Sequence, residues 1–191
     1  MPILGIVSSG VGEQVTPAFE AIASATGTGS SGTITFSSIP ADYQHLQIRF
    51  IVRSTASSSS TTGLNFYPNA ETGSSSTFDR HYLYGDGSAV TASNSINQGE
   101  FFAYNVVPRD LMLSDTYGVG IIDIHDYAST TKNKTVRMFY GFDDNSGTTA
   151  SRVYLESGLW RSTDAITDLR FTVSTAFKTG SVISLYGVKG A

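Results

Sequence analysis

The chain has 191 residues, enough for one domain with a buried core and no covalent staples. Only 15% of residues are charged, so 27 Ser and 22 Thr must wet the surface, and with 19 Gly, 11 Phe and 10 Tyr the composition suits a β-rich, loop-rich fold. A net charge of -4 and four Lys exclude a phosphate-binding surface, and the lack of Cys excludes disulfides and thiolate metal centres. The start, Met1-Pro2-Ile3-Leu4-Gly5-Ile6-Val7, lacks a basic region and is too short for a signal peptide. No apolar run approaches the roughly 20 residues of a membrane span, so the reading is of a soluble protein made without a targeting sequence.

Residues 1–17 stand apart. Ile3, Leu4, Ile6 and Val7 form an apolar tip, joined to the rest by Ser8-Ser9-Gly10-Val11-Gly12. Such a tip gains little in solvent, and it predicts an extended arm whose four apolar residues contact a neighbouring subunit or shell. Residues 18–191 then form a single β-sandwich domain. Phe19 to Thr26 and Thr33 to Ser37 read as a hairpin across Gly27-Thr28-Gly29-Ser30-Ser31-Gly32. In Leu46, Ile48, Phe50 and Val52, apolar residues recur at every second position, the pattern of a half-buried antiparallel strand. Ser54 to Thr62 reads as a loop and Leu64 to Tyr67 as the returning strand. Asp79 to Tyr84 fits a strand or a helical turn equally, Glu100 to Val107 a strand, and Pro108 to Leu113 a helical turn with Pro at its start.

The centre of the chain is a predicted hairpin from Gly120 to Phe142. Ile122 and Ile124 alternate with Asp123 and His125, and Val136, Met138 and Tyr140 with Arg137 and Phe139, across the polar tip Ala128 to Asn133. Arg152 to Leu155, Ile166 to Val173 and Ser181 to Val188 add three more strands. Eight to ten short strands, turn signals and almost no helix predict an all-β antiparallel sandwich of the jelly-roll kind, with no repeat and no fibre shaft.

Chemistry-bearing residues are few. Asp123, His125, Asp143, Asp144 and Asn145 offer oxygen and imidazole ligands, but the simpler reading pairs Asp123 and His125 with Arg137 across the hairpin. Glu156 with Asp164 or Asp168 mimics a glycosidase pair only in composition. Three His and many Ser make no triad without a Gly-x-Ser-x-Gly elbow, and His45 and His81 read as strand-end or interface residues. Gly85-Asp86-Gly87 is a turn rather than a phosphate loop, and Asn133-Lys134-Thr135 is a sequon without a secretory route. Tyr82, Tyr84, Phe101, Phe102 and Tyr104 suit either a packed core or a platform for sugar rings. No catalytic residue, metal site or cofactor is expected.

Two segments, Ile121-Ile122-Asp123-Ile124-His125-Asp126-Tyr127-Ala128 and Asn133-Lys134-Thr135-Val136-Arg137, resemble virion structural proteins of tailed phages, especially phages of cyanobacteria. So do Ser157-Gly158-Leu159-Trp160-Arg161-Ser162 with Ala165-Ile166-Thr167, and the ending Ile183-Ser184-Leu185-Tyr186-Gly187-Val188-Lys189-Gly190. Upstream, Phe36-Ser37-Ser38-Ile39-Pro40-Ala41-Asp42-Tyr43 leads into His45-Leu46-Gln47-Ile48-Arg49 in the same style. The resemblance implies a non-enzymatic capsid cement (decoration) protein, or else a tail-fibre or receptor-binding module for host surface glycan. The missing shaft and the apolar arm favour cement. The expected partners are the major capsid protein and further copies of the chain in a homotrimer, with no nucleic acid and no membrane. The expected location is the outer surface of the phage capsid, after synthesis in the host cytoplasm.

Overall fold

Leu46, Ile48, Phe50 and Val52 are all buried, and so are Val136, Met138, Tyr140 and Phe142. Alternation of this kind places one face of each strand against a core. The structure, a computed structural model, describes residues 18–71, 76–144 and 151–190. Among them are twelve strands and no helix. The first six are β1 (Phe19–Thr26), β2 (Thr33–Phe36), β3 (His45–Val52), β4 (Thr61–Pro68), β5 (Phe78–Gly85) and β6 (Val90–Gln98). The others are β7 (Phe101–Pro108), β8 (Gly118–Ile124), β9 (Lys134–Phe142), β10 (Arg152–Trp160), β11 (Leu169–Thr172) and β12 (Val182–Val188).

They form an eight-stranded sheet in the order β1-β12-β3-β8-β9-β10-β5-β6 and a four-stranded sheet in the order β2-β11-β4-β7. All ladders are antiparallel, which makes the protein an all-β sandwich. Eight strands pair like one long ribbon folded in half: β1 with β12, β2 with β11, β3 with β8, and β4 with β7. The ribbon is then rolled, so that β12 also meets β3 and β11 also meets β4. The remaining strands, β5 with β6 and β9 with β10, extend the large sheet beyond β8.

The core lies between the sheets. Phe66 stacks on Phe101 at 4.8 Å and on Phe171 at 5.8 Å, while Phe78 meets Phe101 edge-on at 4.7 Å and stacks on Trp160 at 6.3 Å. These rings bury large apolar areas, and their offset and edge-on geometries add to that gain. Where the start of β8 passes β7 only glycine fits, because a Cβ on Gly118 would lie 1.7 Å from the carbonyl oxygen of Val106.

The central hairpin forms as expected, with Asp123 opposite Arg137 and Ile124 opposite Val136. Several local expectations need correction. The segment 19–37 is not a hairpin, since β1 joins one sheet and β2 the other. Its Gly- and Ser-rich middle is the crossing between layers. The strand Leu64 to Tyr67 does not return beside β3 but pairs with β11 and β7 in the smaller sheet. Asp79 to Tyr84 is a strand. Pro108 to Leu113 is a turn rather than a helix, and buried Arg53 explains why. Its guanidinium donates to the carbonyls of Leu113 at 2.7 Å, Thr116 at 2.6 Å, Arg109 at 3.1 Å, Asp110 at 3.3 Å and Met112 at 3.0 Å. Five carbonyls converge on this one buried cation and hold the segment in a tight turn, within which the Arg109 carbonyl also accepts the Met112 N–H at 3.1 Å.

Candidate docking face

One face of the large sheet is covered by the small sheet. Its other face is left open by the described residues, and three rows of side chains cross it. The first runs Ile51, Val119, Gly141, Val153, Gly85, Val90 from β3 to β6. The second runs Arg49, Ile121, Phe139, Leu155, Leu83, Ala92. The third is polar, with Gln47, Asp123, Arg137, Ser157, His81 and Asn94 in the same order. Directly paired residues share a face, so ladder register alone assembles the rows.

The first two rows are almost uncharged and exposed. Phe139 is 57% exposed, and Ile51, Val119, Ile121, Val153, Leu155 and Leu83 lie between 36% and 48%. Gly141 and Gly85 flank Val153 in the first row, and there the surface sinks into an open depression of about 800 Å³. Ile51, Val119, Ile121 and Phe139 line it, and Arg49, Asp86, Asp143 and Arg152 border it. A contiguous apolar face of this extent on an otherwise polar protein marks an interaction surface. Completing the burial of each large side chain contributes on the order of 1 kcal/mol before the costs of association.

The polar row fixes the boundary. Asp123 accepts from Gln47 Nε2 at 2.8 Å and from Arg137 Nη2 at 3.1 Å, which realises the expected Asp123–Arg137 pair. Beyond β3, the Arg49 guanidinium lies over the rings of Phe19 at 5.3 Å and Tyr186 at 5.4 Å. At the far margin Asp86 accepts from the backbone N–H groups of Ser88 and Ala89, each at 3.0 Å, and from the Ser88 hydroxyl at 2.8 Å. These bonds hold its carboxyl at about 2, and they make Gly85-Asp86-Gly87 the expected turn.

The other sequence candidates are dispersed. His125 does not pair with Arg137. Its ring stands edge-on to His45 at 4.9 Å, and burial, with His45 second, pushes its imidazole pKa down. His45 Nδ1 accepts the Asp126 N–H at 3.0 Å. Asp143 and Asp144 follow the opposite end of β9 from the Asp123–Arg137 pair, and Asn145 lies outside the described residues. Among the described residues no group of three or more acidic or His side chains is arranged to hold a metal. Glu156 is not paired with Asp164 or Asp168. It is buried on the inner face, accepts from the Tyr140 hydroxyl at 2.8 Å and lies 3.6 Å from Arg80 Nη1. Burial raises its carboxyl to about 7, against the opposing pull of Arg80 and Tyr140. Phe101 belongs to the core, and Tyr82 and Tyr84 pack against it from the inner face. Arg80 lies over Tyr82, Phe102 and Tyr104, and only Tyr104 of the five aromatics is exposed. His81 sits exposed in the polar row.

Ile3, Leu4, Ile6 and Val7, the expected contact residues, lie outside the described residues. The docking face was not foreseen, although its signal is present in the sequence. Ile51, Ile121 and Phe139 occupy the phase of their strands opposite to the buried one, where a singly covered sheet would carry polar residues. The chain matches no protein family, curated protein or solved structure with which it was compared.

Proposed function

We propose that this chain is a non-enzymatic bacteriophage virion structural protein, a capsid cement protein that docks on the assembled head through the outer face of its large sheet. The observation that carries this reading is the pair of exposed apolar rows centred on Ile121, Phe139 and Leu155, charged only where Arg49 begins the second. A rigid sheet held from behind by a core presents such rows without paying to order them, and preorganisation favours tight docking. The rolled order of the eight ribbon strands, β1-β12-β3-β8 over β2-β11-β4-β7, supports the jelly-roll reading, with β5–β6 and β9–β10 as two added hairpins. The major capsid protein is the proposed partner, with threefold self-association and the arm residues Ile3, Leu4, Ile6 and Val7 as further contacts. Binding only the assembled state stabilises that state by mass action.

The test is localisation on virions by cryo-EM with a labelled antibody fragment, together with binding of purified protein to heads that lack it. Regular labelling over the head, and loss of head binding by Phe139→Lys with unchanged thermal unfolding, are expected. Labels confined to the tail tip, or binding blocked by host glycan, would overturn the reading in favour of an adhesin.

A further inference from the structure

Two stacked sheets have four edges, and unpaired edges invite pairing with other chains. Three of the four are blunted here. β1 carries Glu20, with Lys189 3.7 Å away. β2 is only four residues long. β7 ends in Pro108, and two of its backbone groups are taken by side chains of the large sheet: the Phe102 carbonyl accepts from Arg80, and the Tyr104 N–H donates to the Tyr140 hydroxyl at 3.0 Å.

The fourth edge is different. β6 is nine residues long and, among the described residues, pairs only with β5. Every residue in it is exposed except Ser95, so the strand projects beyond the cover of the small sheet. From Gly87 to Gly99 there is no charged residue and no proline. In an antiparallel ladder, alternate residues turn both backbone groups away from the neighbouring strand. Side chains meet this need only at the end of β6, where Asp79 accepts the Asn97 N–H at 2.8 Å and Gln98 donates to the Ile96 carbonyl at 2.8 Å. Among the described residues, no side-chain or non-ladder backbone bond reaches the main chain of Val90 to Ser95.

We propose that β6 is an assembly edge that pairs antiparallel with β6 of a second copy of this chain. A two-fold axis beside the strand suffices, because the same uncharged segment then meets itself and each residue finds its counterpart reciprocally. The occupant is a second copy because the edge offers main-chain hydrogen bonding with no charge to select a foreign strand, and because the apolar rows are continuous with it. Val90 and Ala92 terminate those rows on β6. Two-fold pairing therefore joins two eight-stranded sheets and merges their outer faces into one surface. The inference does not rest on the capsid reading, and a two-fold contact can coexist with threefold association.

Sedimentation velocity of the full chain from micromolar to millimolar concentration tests it, alongside Ala92→Lys/Asn94→Lys. Both side chains are exposed, so the variant should fold as the parent does, verified by circular dichroism. Two lysines near the axis face their own copies and should raise the dissociation midpoint roughly tenfold or more. A control with equal added charge on the hairpin tip, Thr131→Lys/Asn133→Lys, should retain the parent's self-association, as should a chain lacking residues 1–17. Hydrogen exchange of alternate amides from Val90 to Ser95 should slow as concentration rises. A parent that stays monomeric throughout, a β6 variant that associates as the parent does, or association lost on removing residues 1–17 would overturn the proposal. The last result would assign the edge to the N-terminal segment.

Discussion

Glu156 is the most consequential single residue of the inner face. It is buried beside Arg80 and Tyr140, and its carboxyl is raised from 4.5 to about 7 chiefly by burial. A carboxyl raised in the folded state holds its proton when the unfolded chain has released it. The contribution of Glu156 to folding stability is therefore greatest below 4.5, declines as pH climbs from 4.5 to about 7, and levels off above that. The decline attributable to this residue is about 3 kcal/mol as an upper bound. Glu156→Gln keeps the shape and removes the ionisation. Its unfolding free energy, measured by urea titration at successive pH values, should lack this decline and exceed that of the parent at pH about 8. Parallel curves for parent and variant would refute the assignment.

At the scale of the element, the two layers meet backbone to backbone where β7 passes the start of β8. A methyl group on Gly118 would collide with the Val106 backbone rather than with a flexible side chain. Gly118→Ala should force the strands apart and cost about 2 kcal/mol or more in a thermal or denaturant melt, whereas a cost near zero would mean that β7 shifts freely. The elements differ in how plainly the sequence announces them. β3 and β9 bury one face completely, so their apolar residues recur at every second position and the strands are readable without a structure. β6 buries neither face, and Val-Thr-Ala-Ser-Asn-Ser-Ile-Asn-Gln has no alternation to detect. That is why residues 88–99 passed unread. Pairing between strands was legible only where two consecutive strands both show plain apolar alternation. The β8–β9 hairpin could be inferred, but β1–β12 could not, because nothing local in Phe19 to Thr26 points to Val182 to Val188. The docking face follows the same rule. Its residues are visible one strand at a time, and only the register of six strands makes them a surface.

Across the whole molecule, the first and last described strands are neighbours. β12 lies between β1 and β3, bonded to both, with Phe19 opposite Val188 and Val188 opposite His45. Removing residues 182–190 leaves β1 without any partner and opens the core side of β3. The truncated chain should lose its cooperative thermal transition and aggregate, as followed by calorimetry and light scattering, while a retained sharp transition would show that the sheet closes without its last strand. The arrangement also bears on the order of events in the cell. A growing chain reaches β1 before β12, so the large sheet stays split until β12 has been made. During that interval the edges of β1 and β3 are both open, and pairings of such long sequence separation form slowly. Nascent chains held on one messenger are then each other's nearest source of a missing strand. Slow translation between β11 and β12 would lengthen that exposure, and a chaperone that shields open strands would act before this seven-residue strand slides into the gap.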